Sequence, residues 1–201
     1  QTAFLKTHYP IEFMAALMTS VIDNTDKVAG YIYACRQMNI KILPSDVNAS
    51  EQGFSVENGA IRLGLLAIKS LGRPTIAAIL RDREANGKFE SMQDFIARLY
   101  NDLNKRTVEN LIKAGAFDNF GNKRRAMMLI YVQMLDNEAK QGKDAISGQM
   151  SLFDFADEET KSDFQIKIPD VTEYTKEEML NLREENEGIN IILKQANKRV
   201  K

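Results

Sequence analysis

Two short segments of this sequence combine residue types and spacings that can bind phosphate. One spans residues 68–74 and the other residues 112–117, and in each of them one apolar helical pattern ends and a second begins within a few residues. A helix that begins this abruptly leaves its first backbone N–H groups unpaired, and these groups together with the helix dipole attract phosphate oxygens. A small residue in each joint lets another backbone approach closely, and a lysine adds positive charge.

The candidate phosphate ligands lie in both joints and at the start of the long helix after the second. They are Lys69, Ser70, Leu71, Gly72 and Arg73 in the first joint, Lys113, Ala114, Gly115 and Ala116 in the second, and Lys123, Arg124 and Arg125 at the helix start. Three cations at a helix start oppose the helix dipole, so an anion is expected nearby. The alternative is an ordinary pair of helical hairpins with a solvated basic face, but the repeated lysine and glycine pattern favours phosphate binding.

A compact apolar cluster interrupts a polar, acidic stretch towards the carboxyl-terminal end. It consists of Gln149, Met150, Ser151, Leu152 and Phe153. Leu and Phe side chains in such a stretch are expected to pack against another apolar surface. Composition leaves two interpretations open: the cluster folds back onto the domain, or it is a short linear motif whose Leu and Phe enter an apolar pocket of a partner.

The residue types argue against catalysis within this chain. There is one histidine, His8, and one cysteine, Cys35, and neither a G-x-x-x-x-G-K-[ST] nor a G-x-S-x-G motif is present. Asp82 and Glu84 are two residues apart on a predicted helix, so their carboxylates diverge and cannot share a metal ion. We therefore expect no catalytic residue, metal site or cofactor here. A single cysteine excludes an internal disulfide and indicates a reducing compartment, and no apolar run reaches the roughly 18–20 residues of a membrane span.

The hydrophobic periodicity predicts a mainly α protein of short helices with one small β-hairpin. Asn58-Gly59, between two short alternating segments, favours a type I′ turn. Residues 177–187 have a helical but strongly charged pattern, so the tail is predicted to be a linker with a marginal helix. Capping residues and prolines indicate helix starts at Pro10, Asn24, Pro74, Ser91, Asn104 and Asn122.

The net charge of −1 is the sum of two unlike regions. Residues 61–125 contain 13 Lys and Arg against 7 Asp and Glu, whereas residues 154–187 contain 4 against 12. The region with both joints is therefore basic, as binding to a polyanion requires, and the acidic region cancels its charge in the total.

Four segments of the chain resemble the alpha subunit of bacterial DNA polymerase III, the C-family replicative polymerase. They are residues 1–17, 40–48, 64–72 and 103–118, and the resemblance covers roughly residues 1–155.

The resemblance implies five regions along the chain. They are the end of a fingers domain (1–50), a β-hairpin connector (51–63), a tandem helix-hairpin-helix domain that binds duplex DNA (64–142), a linker with a clamp-binding peptide (143–163), and a charged tail that leads towards an OB-fold (164–201). The joint residues would then contact DNA, and the cluster from Gln149 to Phe153 would bind the sliding clamp.

The same resemblance implies where the chemistry would be. The palm aspartates of the family, with their Mg²⁺ ions, would lie upstream of Gln1, so the chain is expected to be a non-catalytic internal piece of a DNA-directed DNA polymerase. Other replicase subunits are expected partners through the full-length protein, no membrane is expected, and the expected location is the bacterial cytoplasm in association with the nucleoid.

Two departures from the family pattern matter. Ser70 stands where the family has the first glycine of a Gly-x-Gly pattern, and a serine costs free energy if that position needs a positive φ. Residues 187–191 keep only the glycine and the apolar spacing of a family motif. Two other functions stay open: a helix-hairpin-helix module of a DNA repair or recombination protein, and a helical scaffold that binds only proteins.

Overall fold

The computed structural model describes residues 2–147 and 167–186; residues 148–166, which include the predicted clamp-binding residues Gln149 to Phe153, and residues 187–201 lie outside the described residues. The first part of the fold has three helices and a small sheet. Their bounds are α1 (Thr2–His8), α2 (Pro10–Ser20), α3 (Thr25–Gln37), β1 (Ile42–Leu43), β2 (Ser55–Glu57) and β3 (Ala60–Arg62).

The predicted β-hairpin is present and gains a third strand. Asn58 and Gly59 have φ values of 49° and 74°, which confirms the type I′ turn because that turn needs two positive φ angles. β2 and β3 pair antiparallel, and β1 pairs parallel to β3 with Ile42 opposite Ile61, so the strand order is β1-β3-β2. A strand of only two residues before Pro44 has too short a pattern to be predicted.

The hairpin shares a hydrophobic core with α2 and α3. Phe54 precedes β2 and Ile61 lies in β3, and both pack with buried helix side chains that are Met14, Ala15, Met18, Val28, Ile32 and Cys35. Burial raises the pKa of the Cys35 thiol to about 11, because the charged form would lose its hydration. Cys35 is therefore a protonated core residue.

The second part of the fold consists of short helices joined by tight turns. It comprises a 3₁₀ turn (Leu65–Ala67), α4 (Arg73–Asn86), α5 (Met92–Leu99), a 3₁₀ turn (Tyr100–Asp102), α6 (Lys105–Ala114), a 3₁₀ turn (Asp118–Phe120), α7 (Arg124–Ser147) and α8 (Lys176–Asn186). The first helix of the first copy is thus a single 3₁₀ turn. The predicted mainly α fold with two helix-joint-helix copies is confirmed.

Side-chain caps define most helix starts as predicted. The side chains of Asn24, Ser91 and Asn104 accept hydrogen bonds from the N–H groups of Lys27, Asp94 and Thr107, at 3.0, 3.0 and 2.9 Å. The prediction for α7 is wrong by one residue, because the N–H of Met127 donates to the carbonyl of Lys123 and not to Asn122.

A second hydrophobic core joins the two helix-joint-helix copies. Ile76 and Ile79 of α4 pack with residues of α5, α6 and α7 that include Phe95, Leu111 and Met127. Phe95 lies edge-on to Phe89 and Phe117, with ring centroids 4.9 and 5.1 Å apart, and this aromatic geometry adds to the stabilisation from burial. Both joints are therefore anchored on the same hydrophobic core.

The predicted tail helix forms and packs against α6. The Thr175 hydroxyl accepts from the N–H of Glu178 at 3.2 Å, and the Glu178 carboxylate accepts from the N–H of Thr175 at 2.7 Å. This reciprocal pair is a capping box, and it explains why so charged a segment begins a helix at Lys176. In the described ranges no helix has both the length and the apolarity to cross a membrane.

Candidate nucleic-acid interface

The first joint presents the start of α4 at the surface. Gly72 caps α4 with an extended backbone (φ −73°, ψ 152°), and among the described residues no side chain makes a capping hydrogen bond there. Pro74, the second residue of α4, has no N–H to satisfy. Lys69, Ser70 and Arg73 are exposed and Leu71 is buried, so Leu71 anchors the joint while its neighbours face outwards.

Ser70 has the backbone conformation that a glycine would adopt most easily. Its φ of 61° lies in the left-handed region, which costs a residue with a Cβ roughly 1 kcal/mol. Gly72 keeps an open approach, because an added Cβ would meet only Pro74 Cδ at 3.6 Å. The joint therefore combines open space at Gly72 with backbone strain at Ser70.

Arg73 also forms a weak ion pair within the chain. Its guanidinium lies 3.6 Å from the Asp23 carboxylate, and both side chains are mostly exposed. Exposed pairs of this kind contribute little free energy and are screened by salt. Asp23 therefore holds the Arg73 guanidinium only weakly.

The small residues of the second joint are buried, whereas the sequence predicts that they face a ligand. Gly115 ends α6 with a left-handed backbone (φ 83°, ψ 21°), and Ala114, Gly115 and Ala116 are all buried. A Cβ on Gly115 would lie 2.1 Å from Nη2 of Arg124. The close approach at this glycine is made by an arginine of the chain, and the prediction that it makes room for a nucleic-acid backbone is corrected.

Arg124 is a buried brace of the second joint. Its Nε and Nη2 donate to the two carboxylate oxygens of Asp118 at 2.7 and 2.5 Å, and its Nη1 donates to the carbonyl of Lys113 at 3.1 Å. The side chain is only 4% exposed. The sequence predicts its guanidinium at the surface as a phosphate ligand. In the structure the guanidinium is bound within the joint, and only the backbone N–H of Arg124 points outwards.

Lys113 already has an acidic partner one helical turn away. Its ammonium lies 2.6 Å from the Glu109 carboxylate, and about a fifth of its side chain is exposed. A pair spaced by four residues on one helix face is a typical stabilising arrangement. Of the cations predicted for the second copy, Lys123 and Arg125 are the ones that the structure leaves exposed.

The anion expected at the start of α7 is supplied by the chain itself. The N–H groups of Arg124 and Arg125 donate to the Glu173 carboxylate at 2.8 and 3.2 Å. Lys123 Nζ lies 2.7 Å from Asp170, and the Arg125 guanidinium lies 5.9 Å from the centre of the Tyr174 ring. We call residues 170–174 the acidic strap.

The acidic strap holds its carboxylates in the charged form. Burial by itself would raise the pKa of Glu173, but the N–H groups of Tyr174, Arg125 and Arg124 outweigh burial and lower it. The hydrogen bond and charge of Lys123 lower the pKa of Asp170. Both carboxylates are therefore ionised at neutral pH, as the positive end of a helix dipole favours.

A loop from the first part of the fold contacts the second joint and the turn after α4. Its Asn48 side chain donates to the carbonyl of Phe89 and accepts from the N–H of Phe89, both at 2.8 Å, and the N–H of Val47 donates to the carbonyl of Ala116 at 3.1 Å. A separate link runs from the Asn110 side chain to the carbonyl of Lys69 at 2.8 Å. We call residues 44–50 the connecting loop.

The positioning role of the connecting loop was missed from the sequence. Residues 40–48 are one segment of the resemblance, and Pro44 predicts extended chain there, but the Asp46-Val-Asn48 pattern is also typical of an Asx turn. The N–H of Asn48 indeed donates to Asp46 at 2.6 Å, and Asn119 of the second joint donates to the other oxygen of Asp46. A signal for the turn was present, but its partners lie far away along the chain.

The described residues contain no group of three or more His, Cys, Asp or Glu side chains that could hold a metal ion.

Two helix-joint-helix copies share one core, which is the arrangement of a helix-hairpin-helix domain within this chain. A family model described as "Helix-hairpin-helix motif" matches residues 39–127. That range includes the connecting loop, in agreement with the contacts that the loop makes to both copies.

The curated relatives identify the larger protein that this chain resembles. It is similar to DNA polymerase III subunit alpha of Mycobacterium leprae (37% identical over 94% of this chain), of Mycobacterium tuberculosis (38% over 94%) and of Pasteurella multocida (44% over 76%). The resemblance to the bacterial DNA polymerase III alpha subunit is confirmed. The chain spans 16% of the first two relatives and 13% of the third.

Proposed function

We propose that this chain is a DNA-positioning segment of a replicative DNA-directed DNA polymerase and binds the backbone of duplex DNA. The observation that carries the proposal is the first joint, where the uncapped start of α4 lies at the surface between exposed Lys69 and Arg73. Unpaired amides and flanking cations are the groups that hold phosphate oxygens. The polymerase relatives favour this function over a repair module with the same motif.

The proposed binding has no sequence preference. Backbone N–H groups, lysine and an arginine at a helix start recognise phosphates, which are the same at every base pair. Within this proposal the chain performs no catalysis, and nucleotide transfer with its Mg²⁺ ions belongs to other parts of the polymerase.

The proposal is tested by fluorescence anisotropy with two labelled duplexes of equal length and unrelated sequence. Both duplexes should bind with the same affinity, and the affinity should fall steeply as salt rises, because each neutralised phosphate releases counterions. Binding that ignores salt, or no binding even at low salt, would contradict the proposal.

A matched pair of variants locates the site. Lys69→Gln with Arg73→Gln should weaken binding to both duplexes and reduce the salt slope by about 2, one for each lost phosphate contact. Lys41→Gln with Lys140→Gln removes the same charge from exposed positions elsewhere and should leave most of the affinity and slope in place. Equal effects of the two pairs would exclude the first joint as the site.

We also propose that the peptide from Gln149 to Phe153 attaches the chain to the sliding clamp. The support is the apolar Leu152 and Phe153 within an acidic sequence, together with the resemblance. Leu152→Ala with Phe153→Ala should abolish binding to the clamp in surface plasmon resonance and leave DNA affinity unchanged. Unchanged clamp affinity in this variant would exclude the motif.

A further inference from the structure

The start of α7 is a complete anion site with a ligand already in it. Two successive backbone N–H groups, those of Arg124 and Arg125, converge on the Glu173 carboxylate at 2.8 and 3.2 Å. Lys123 lies beside them and pairs with Asp170. A carboxylate held by helix N–H groups and a lysine occupies the position and the charge environment that a phosphate needs.

The two helix-joint-helix copies differ at this position. Within residues 2–147 and 167–186, no side chain caps the start of α4, whereas the corresponding start of α7 is filled by a carboxylate that lies 49 residues further along the chain. Glu173 is therefore neither a local cap of α7 nor a part of the second joint. It belongs to a separate segment that docks onto the joint.

We propose that the acidic strap and the phosphate backbone of DNA compete for the start of α7, so that the second copy binds DNA only when the strap has left. The inference rests on the proposed DNA binding and deepens it. It assigns two ligands to one site, a carboxylate of the same chain and a phosphate of the duplex.

The contacts of the strap suit a ligand that can be displaced. The Asp170 side chain is 95% exposed and its partner Lys123 is 46% exposed, so this pair is screened by salt and exchanges readily. The hydroxyl of Thr172 lies 3.5 Å from the Arg125 guanidinium, which is the limit of a hydrogen bond. A duplex presents many phosphates at once and can replace these contacts without moving α7.

The packing of α8 keeps the strap close to its site. α8 rests on α6, and its capping box begins at Thr175, directly after the strap. A segment tethered in this way has a high local concentration at the start of α7. The strap therefore competes even though its outer contacts, those of Asp170 and Thr172, are weak, and it can return when DNA dissociates.

The first experiment compares DNA affinities of Glu173→Ala and Glu177→Ala by anisotropy. Each variant removes one negative charge from the tail, but Glu177 is exposed in the first turn of α8. Glu173→Ala should bind duplex about threefold to tenfold more tightly than the unmodified chain, as expected for the loss of a helix-start anion. Glu177→Ala should stay close to the unmodified chain.

The second experiment observes the strap directly. The chain contains no tryptophan, so Tyr174→Trp places a single indole beside Arg125. Added duplex should shift the indole emission towards that of a solvated tryptophan, with the same midpoint as the anisotropy curve. This measurement is independent of whether Glu173→Ala disturbs the start of α7.

The outcomes separate the two proposals. If duplex binds but Glu173→Ala and Glu177→Ala have equal affinities and the indole emission stays constant at saturation, strap and DNA bind together and the competition is overturned. If no variant binds duplex at low salt, the proposed DNA binding itself fails, and the competition fails with it.

Discussion

At the scale of single residues, Arg124 shows what a run of charged residues can predict and what it cannot. Three consecutive cations from Lys123 to Arg125 indicate an anion site, and an anion is indeed present. Successive residues on a helix point about 100° apart, however, so three neighbours cannot all face the same ligand. Here Arg124 faces inwards to Asp118, and the chain leaves the neighbours on either side exposed. The direction of the Arg124 side chain could not be predicted, because no local sequence pattern pairs it with Asp118 six residues upstream.

The role of Arg124 as a brace can be tested by comparing alanine substitutions at Gly115 and at Gly121. Both glycines have a left-handed backbone, with φ values of 83° and 76°, but a Cβ on Gly121 would meet nothing within 4 Å. Gly121→Ala should therefore cost only the backbone strain, about 1 kcal/mol. Gly115→Ala should cost about 3 kcal/mol or more, because it also pushes the buried Arg124 away from its carboxylate.

Urea unfolding followed by circular dichroism measures both free energies of unfolding. Equal losses for the two variants would show that Arg124 gives way without cost and does not brace the joint.

At the scale of elements, the helices were predictable and their docking was not. Caps and apolar periodicity are local properties, so α3, α5 and α6 begin where the sequence indicates. The tail helix was also predicted, and its capping box at Thr175 and Glu178 follows a pattern that can be recognised in a sequence. The contact of the acidic strap with α7 joins segments almost 50 residues apart, and no local pattern specifies it.

Docking of the strap should depend on pH in a defined direction. The docked pKa values of Glu173 and Asp170 are lowered, so docking is at full strength above the ordinary carboxylate values near 4 and is lost as pH falls through the docked values. The hydrogen bonds from Thr175 and the charge of Arg125 also lower the pKa of Glu178, so acidification weakens the capping box of α8 in the same direction.

The Tyr174→Trp variant reports this transition through its emission between pH 7 and pH 2, with far-ultraviolet circular dichroism as a control for unfolding. The midpoint should lie below the ordinary pKa of a glutamate, and adding Glu173→Gln should weaken the transition. A midpoint at or above that ordinary value, with helix content intact, would contradict the docked geometry.

At the scale of the whole molecule, the structure explains part of the near-neutral net charge. The basic region with both joints and the acidic region after it cancel in the sum, and part of that cancellation is physical contact, since the strap lies on the start of α7. The mainly α fold and the first joint could be predicted because periodicity and turn residues encode them. The connecting loop could not, since a few side-chain hydrogen bonds across long distances define its role.

The connecting loop supplies the prediction for the molecule as a whole. Asn48 satisfies both backbone groups of Phe89, which is almost fully buried, so Asn48→Ala leaves a buried N–H and a buried carbonyl without their partner. The expected loss is about 2 to 4 kcal/mol in the free energy of unfolding, with both joints loosened and DNA affinity reduced as well. Asn86→Ala is the matched control, because its side chain is exposed and bonds to Asp82 one turn away; it should cost less than about 0.5 kcal/mol. Urea titration measures the free energy of unfolding of both variants. If Asn48→Ala loses no more of this free energy than Asn86→Ala, the two parts of the fold hold together without this loop.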